Sequence, residues 1–108
     1  MNANITNETR RAVYKRDHYR CALCDSTDGI QIHHAVHRGQ GGNDTMHNLI
    51  TLCWRCHAQA HGTPVFDHSE LTQADISLAC VEYLADYYAP EWMPYRPDWW
   101  YRYTHPVR

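Results

Sequence analysis

The chain is poor in several features that would widen the choice of fold and function. It has one Phe beside eight Tyr and four Trp in 108 residues. That length suits one domain with a single small core, and such chains commonly lean on a metal or on disulfides. No apolar run approaches the ~20 residues of a membrane-spanning helix, and the polar start, Met1 to Glu8, is unlike a secretory signal. A cytoplasmic, reducing setting without a membrane partner is the expectation. There is no internal repeat. Positive charge is also scarce: the net charge is −2, which by itself argues against nucleic acid, and residues 63–89 carry five acids with no Lys or Arg. The distribution says more than the sum. Residues 1–62 hold seven basic side chains against five acids, and residues 90–108 hold three Arg against two acids. A weakly basic front and an acidic back follow, and a bound dication would add to the front.

What the chain does have is paired cysteines. Cys21 and Cys24 form one C-x2-C knuckle, and Cys53 and Cys56 form a second. In a reducing compartment such pairs are more often zinc ligands than disulfides, and two knuckles can close a four-thiolate tetrahedron. A site filled by four thiolates has no open position, so its role is structural and its metal belongs to the folding free energy. Cys80 stands alone and reads as a small core residue.

Helical signals lie around these knuckles. A first helix is expected over about 7–17, capped by Thr6 or Asn7, with Glu8 at its positive end and Val13 and Tyr14 as apolar contacts. Arg10, Arg11, Lys15 and Arg16 are expected to be largely exposed, either as a solvated face or as phosphate contacts. Residues 30–36 and 48–52 read as short strands, separated by the glycine-rich loop 39–44. A helix over about 54–61 follows the second knuckle and stops at Gly62 and Pro64. A longer helix over about 73–88 starts at a Thr72–Asp75 capping box, with Leu71 and Ile76 spaced as a hydrophobic staple. Leu78, Val81, Ala85 and Tyr88 continue its apolar stripe, widened by Leu84.

The histidines are harder to explain as packing. His57 and His61 are four apart on a helix, so they share a face and can hold one ion. His33 and His34 are neighbours on a strand and point to opposite sides. One can coordinate metal while the other meets a water or a substrate phosphate.

Taken in order, Cys21-x2-Cys24, Ile32-His33-His34, Arg38-Gly-Gln-Gly-Gly-Asn-Asp44 and Asn48-Leu-Ile-Thr-Leu-Cys53-x2-Cys56-His57-x3-His61 resemble the HNH endonucleases. The resemblance spans residues 21–61 and the Arg-rich helix before them. It implies an α+β fold: a small ββα-metal (His-Me finger) nuclease module, stapled by the four-cysteine zinc site, with flanking helices. The module is expected as a single domain over 1–89, followed by an aromatic, proline-rich extension over 90–108. The resemblance further implies that His34 is the general base and that His33, His57 and His61 ligate a catalytic divalent metal. Asn48 is implied to brace the loop and orient the base, or in some members to ligate the ion. Arg38 falls where many members bind phosphate. Two positions depart from the pattern: His37 stands where many members carry Pro, and His47 directly precedes Asn48. Each reads most simply as an exposed loop histidine, and otherwise as an imidazole competing for metal.

The implied activity is metal-dependent hydrolysis of DNA, by nicking or double-strand cleavage. A divalent ion counters the charge of the phosphodiester, and imidazole, with a pKa of about 6.5, suits proton abstraction at neutral pH. Histidine ligands suit Zn2+, Ni2+, Co2+ and Mn2+ better than Mg2+, and the choice among these five stays open. DNA is the expected partner. Standalone modules of this type resemble those of bacteria and their phages, some encoded beside packaging genes. The alternatives are a non-catalytic zinc module that only binds nucleic acid, and a toxin-like nuclease domain. In the extension, Trp92, Tyr95, Arg96, Trp99, Trp100, Tyr101, Arg102, Tyr103 and Arg108 are open to three uses: intramolecular packing, a homodimer interface, or stacking on unpaired bases.

Overall fold

A computed structural model describes residues 5–63, 65 and 71–97 of the chain. Helix α1 spans Asn7–Arg16, and the Thr6 hydroxyl caps it by accepting the Thr9 N–H at 3.0 Å. Its fully buried Val13 packs with Ile5, Ile32 and Leu49 in a small cluster flanked by Tyr14 and Met46. Strands β1 (Gln31–His34) and β2 (Leu49–Leu52) pair antiparallel, with His33 opposite Ile50 and His34 opposite Leu49. Both are shorter than the apolar runs suggest. Every residue of β2 is buried, because helices cover both faces of this two-stranded ribbon. Helix α2 (Trp54–Ala60) leaves the second knuckle with Cys53 as its N-cap, and α3 (Gln73–Tyr88) begins at the expected Thr72–Asp75 capping box. The main core joins Ile50 and Leu52 of β2, Ala60 of α2 and Ile76, Cys80 and Leu84 of α3 around the cysteines. Two antiparallel strands, a following helix and four clustered cysteines make this the ββα fold expected from the resemblance.

Three local expectations fail for physical reasons. Arg16 is buried, because Asp17 beside it supplies a counterion inside the fold. Its Nε and Nη2 donate to Asp17 Oδ1 and Oδ2, both at 2.8 Å, while its other hydrogens reach Met46 O, Leu49 O and the Tyr88 hydroxyl. Asp17 also accepts the Thr51 N–H at 2.9 Å and the Tyr83 hydroxyl at 2.7 Å, so the pair ties α1 to β2 and α3. Burial alone raises the carboxyl, but these donors outweigh it and hold Asp17 below the usual carboxylate range. On α3 the buried row is Ile76, Cys80 and Leu84, four apart, and Leu78 is 57% exposed beside an open groove. Leu71, the expected staple partner of the buried Ile76, stays 51% exposed.

After α3 the chain returns to the glycine-rich loop as a strap. Asn43 N–H donates to Pro94 O and Arg96 N–H to Gly41 O, each at 2.8 Å, around a Gly42–Tyr95 bridge. The Trp92 indole donates to His47 O at 2.7 Å and packs on the main core. Residues 92–97 thus pack within the chain. Trp99, Trp100, Tyr101, Arg102, Tyr103 and Arg108 lie outside the described residues. Among the described residues, no helix is long and apolar enough to cross a membrane.

Candidate metal centres and their neighbouring histidine

The two knuckles bring the sulfurs of Cys21, Cys24, Cys53 and Cys56 within 4.8 Å of one another. Cys24 Sγ lies 3.6 Å from Cys53 Sγ and 3.8 Å from Cys56 Sγ. A tetrahedron with metal–sulfur bonds of about 2.3 Å has edges of about 3.8 Å, whereas a disulfide draws sulfurs to about 2.05 Å. The donor set therefore fits one tetrahedral ion, and zinc is the ion this set suits. Backbone geometry makes the first knuckle: Asp25 N–H donates to Cys21 O at 3.0 Å and Cys21 N–H to Ser26 O at 2.8 Å. In the second, Cys53 Sγ accepts the Cys56 N–H at 3.4 Å as the α2 cap. A hydrogen bond from the Cys56 thiol holds Cys21 down to about 4 and pushes Cys56 up in return. The cluster thus already favours a thiolate, the form that binds metal.

A second cluster forms where β1 meets α2. The ring nitrogens of His33, His57 and His61 lie within 4.8 Å of one another, and His57 Nε2 is 3.1 Å from His61 Nε2. Two imidazoles on one ion, with bonds of about 2.0–2.1 Å, place their nitrogens at this separation when the angle between them is near 100°. His57 Nδ1 donates to the Gln31 side-chain oxygen, which leaves its Nε2 lone pair facing the cluster. Gln31 was not singled out in the sequence, although alternation along β1 puts it on the face of His33. Burial, then the neighbouring imidazoles, push His33 down to about 3, and His57 is lowered by the same two causes. Both rings are thus biased to the neutral form that coordinates metal.

His34, one residue along, meets a different set of partners. Its Nε2 lies 2.7 Å from Asp44 Oδ1, and Arg38 Nε donates to the same oxygen at 2.9 Å. Burial raises Asp44, but the bonds from His34 and Arg38 outweigh it and hold the carboxyl below its ordinary range. An ionised carboxylate only accepts, so His34 Nε2 carries the hydrogen and, in the neutral ring, Nδ1 keeps the lone pair. Beside the role expected of Asn48, the contact on the His34 ring itself comes from Asp44, whose carboxylate reaches it from the glycine-rich loop.

Asn48 is fully buried and spends its side chain on the loop itself. Its Oδ1 accepts the Val36 N–H at 2.7 Å, and its amide donates to Val36 O and Asn43 O, both at 2.9 Å. The loop passes so close that a Cβ on Gly42 would lie 1.9 Å from Val36 O and 2.7 Å from Asn48 Nδ2. One side chain thus ties Val36 and Asn43, on either side of the loop, together. Arg38 Nη2 is buried and has no hydrogen-bond partner among the described residues.

The two departing histidines separate. His47 stacks on Tyr88 with ring centroids 4.1 Å apart, and its Nδ1 accepts the Met93 N–H at 2.9 Å, so it is a packing residue and not a loose loop histidine. His37 is exposed but stands beside the three-histidine cluster.

Residues 21–63 match the family model described as HNH endonuclease. Comparisons with curated proteins and with solved structures gave no match.

Proposed function

We propose, from the match of residues 21–63 to the HNH endonuclease family model, that the chain is a metal-dependent endonuclease that hydrolyses DNA phosphodiester bonds, with His34 as its general base. The observation that carries this reading is the division of labour between consecutive residues of β1. His33 joins His57 and His61 in a cluster fit for an ion, and His34 is oriented by Asp44.

His33, His57 and His61 would hold the divalent ion, which when bound supplies positive charge to a non-bridging phosphate oxygen and to the leaving oxygen. His34 accepts the proton of the attacking water on Nδ1, because Asp44 already takes the hydrogen on Nε2. Asp44 keeps the imidazole in that tautomer and offsets the positive charge the ring gains. Arg38, steered by Asp44 through Nε, brings its guanidinium charge to the phosphate. Asn48 and the close approach at Gly42 keep Asp44 and Arg38 at these positions. Arg10, Arg11 and Lys15 remain as phosphate contacts on α1, whereas Arg16 is committed to the interior. The four-cysteine site keeps no open position and holds the scaffold. The products are 5′-phosphate and 3′-hydroxyl ends. The described residues carry one such centre, so one copy nicks a single strand and a double-strand cut takes two copies. The proposed setting is the cytoplasm, where paired thiols stay reduced and available to zinc.

Nicking of supercoiled plasmid across Mg2+, Mn2+, Ni2+, Co2+ and Zn2+ tests the reading, with wild type beside His57→Ala. The expectation is cleavage with at least one metal, loss with a chelator and loss in His57→Ala. DNA binding without cleavage in any metal overturns the enzyme reading in favour of a binding module.

A further inference from the structure

His37 stands next to the histidine centre without belonging to it. Its ring centroid is 6.2 Å from that of His33 and 5.9 Å from that of His61. The three rings of the centre are 5.2, 5.3 and 4.7 Å apart. Four imidazoles around one tetrahedral ion, with bonds of about 2.0–2.1 Å, have ring centroids about 5 Å apart. The centre already has that spacing, and toward His33 and His61 the His37 ring exceeds it by about 1 Å.

Hydrogen bonds hold the backbone at His37. Its carbonyl accepts the Gln40 N–H at 2.9 Å and the Gly42 N–H at 3.0 Å, which fixes the start of the short 3-10 turn Arg38–Gln40. The imidazole itself is exposed and has no hydrogen-bond partner among the described residues. It borders an open groove of about 990 Å³ shared with Gln40, Gln73 and Tyr95, so the ring has room to turn about its side-chain torsions.

Resting on the reading of His33, His57 and His61 as ligands, we infer that His37 is a fourth ligand that closes this centre around a tetrahedral ion such as Zn2+. The consequence is a choice among metals. A tetrahedral ion held by four imidazoles has no position left for phosphate or water and becomes inert, like the zinc in the cysteine site. An ion that takes six ligands keeps two positions with all four imidazoles bound and stays competent. Tethering places the fourth imidazole at high effective concentration, so it competes well with water for the last tetrahedral position. His37 thereby makes zinc a tight inhibitor of the centre at which other divalent ions work.

Cobalt(II) tests this as a spectroscopic probe, added as one equivalent to protein whose cysteine site holds zinc. Wild type is expected to show visible bands of tetrahedral cobalt that do not change when azide is added, and His37→Ala and His37→Gln bands that shift with azide as it displaces the water of an open site. Thiolate charge-transfer absorption identifies any cobalt that has displaced zinc from the cysteines. Zinc should also bind the second site at least about tenfold more weakly in both variants, measured by competition with a chelator. Identical spectra and zinc affinities in wild type and both variants overturn the role of His37 while leaving the centre standing. Failure of wild type to bind the second equivalent, as expected only for the His57→Ala control, overturns the three-histidine centre itself.

Discussion

Removing the Asp44 carboxylate should move cleavage and DNA affinity in opposite directions. A single oxygen of Asp44 accepts from both His34 Nε2, at 2.7 Å, and Arg38 Nε, at 2.9 Å. In Asp44→Ala the His34 ring loses the partner that fixes its tautomer and its angle. A well-placed general base is worth about 10²–10⁴ in rate, so loss of its positioning should cost about 10–100-fold in kcat. Arg38, at the same time, loses the one carboxylate partner it has among the described residues and keeps its charge. One more uncompensated phosphate contact should tighten DNA several-fold at low salt and steepen the salt dependence of log Kd by about 0.9. Asp44→Asn keeps an acceptor but loses the charge and should fall between the two. The assays are single-turnover nicking and a salt series of binding isotherms on the same DNA. Cleavage at the wild-type rate, or loss of affinity in step with activity, would refute this reasoning. The second result would mean that Asp44 holds the fold and not the base.

Other consequences follow from the same contacts. Arg16→Met leaves Asp17 buried without its partner, and removal of one member of a buried pair costs about 3–5 kcal/mol, readable in urea melts. Because the folded state depresses Asp17, the stability it contributes is present above its unfolded pKa of about 3.9 and is lost as pH falls through the folded value. Asp17→Asn should therefore flatten the acid limb of the stability curve. Gly42→Ala places a methyl 1.9 Å from Val36 O, which forces the Asn48 brace apart; about 1–3 kcal/mol of stability and most of the nicking rate should go. Ending the chain at Pro90 removes the strap on Gly41, Asn43 and His47. Amide exchange at those residues should quicken and nicking should fall, with helix content by circular dichroism largely kept.

The parts of this site that were readable in sequence are those built from local rules. Two knuckles, an i, i+4 histidine pair on a helix and a Thr72–Asp75 capping box depend on a few neighbouring residues, and each lies where spacing put it. Contacts made across the fold were not readable. Arg16 looked like one more exposed cation, because its acceptors Met46 O, Leu49 O and Tyr88 are 30 to 72 residues away. His47 looked like a loop residue because Tyr88 and Met93 reach it only after α3 has folded back. Asp44 was visible in the glycine-rich motif, but loops have no period from which to read a direction. Its approach to His34 depends on how Gly41, with φ at 90°, and Gly42 turn the chain. Leu78 shows the limit of periodicity on α3, where several rows satisfy the helical spacing and packing selects the Ile76–Cys80–Leu84 row.

In the proposed mechanism His34, beside the metal ligands and not one of them, takes the proton. Single-turnover nicking by His34→Ala, with metal content and DNA affinity measured on the same preparation, tests it most directly. The expected result is a fall of at least about 10² in rate with both metal sites filled and DNA still bound. Cleavage at the wild-type rate, with the metals in place, would contradict the account.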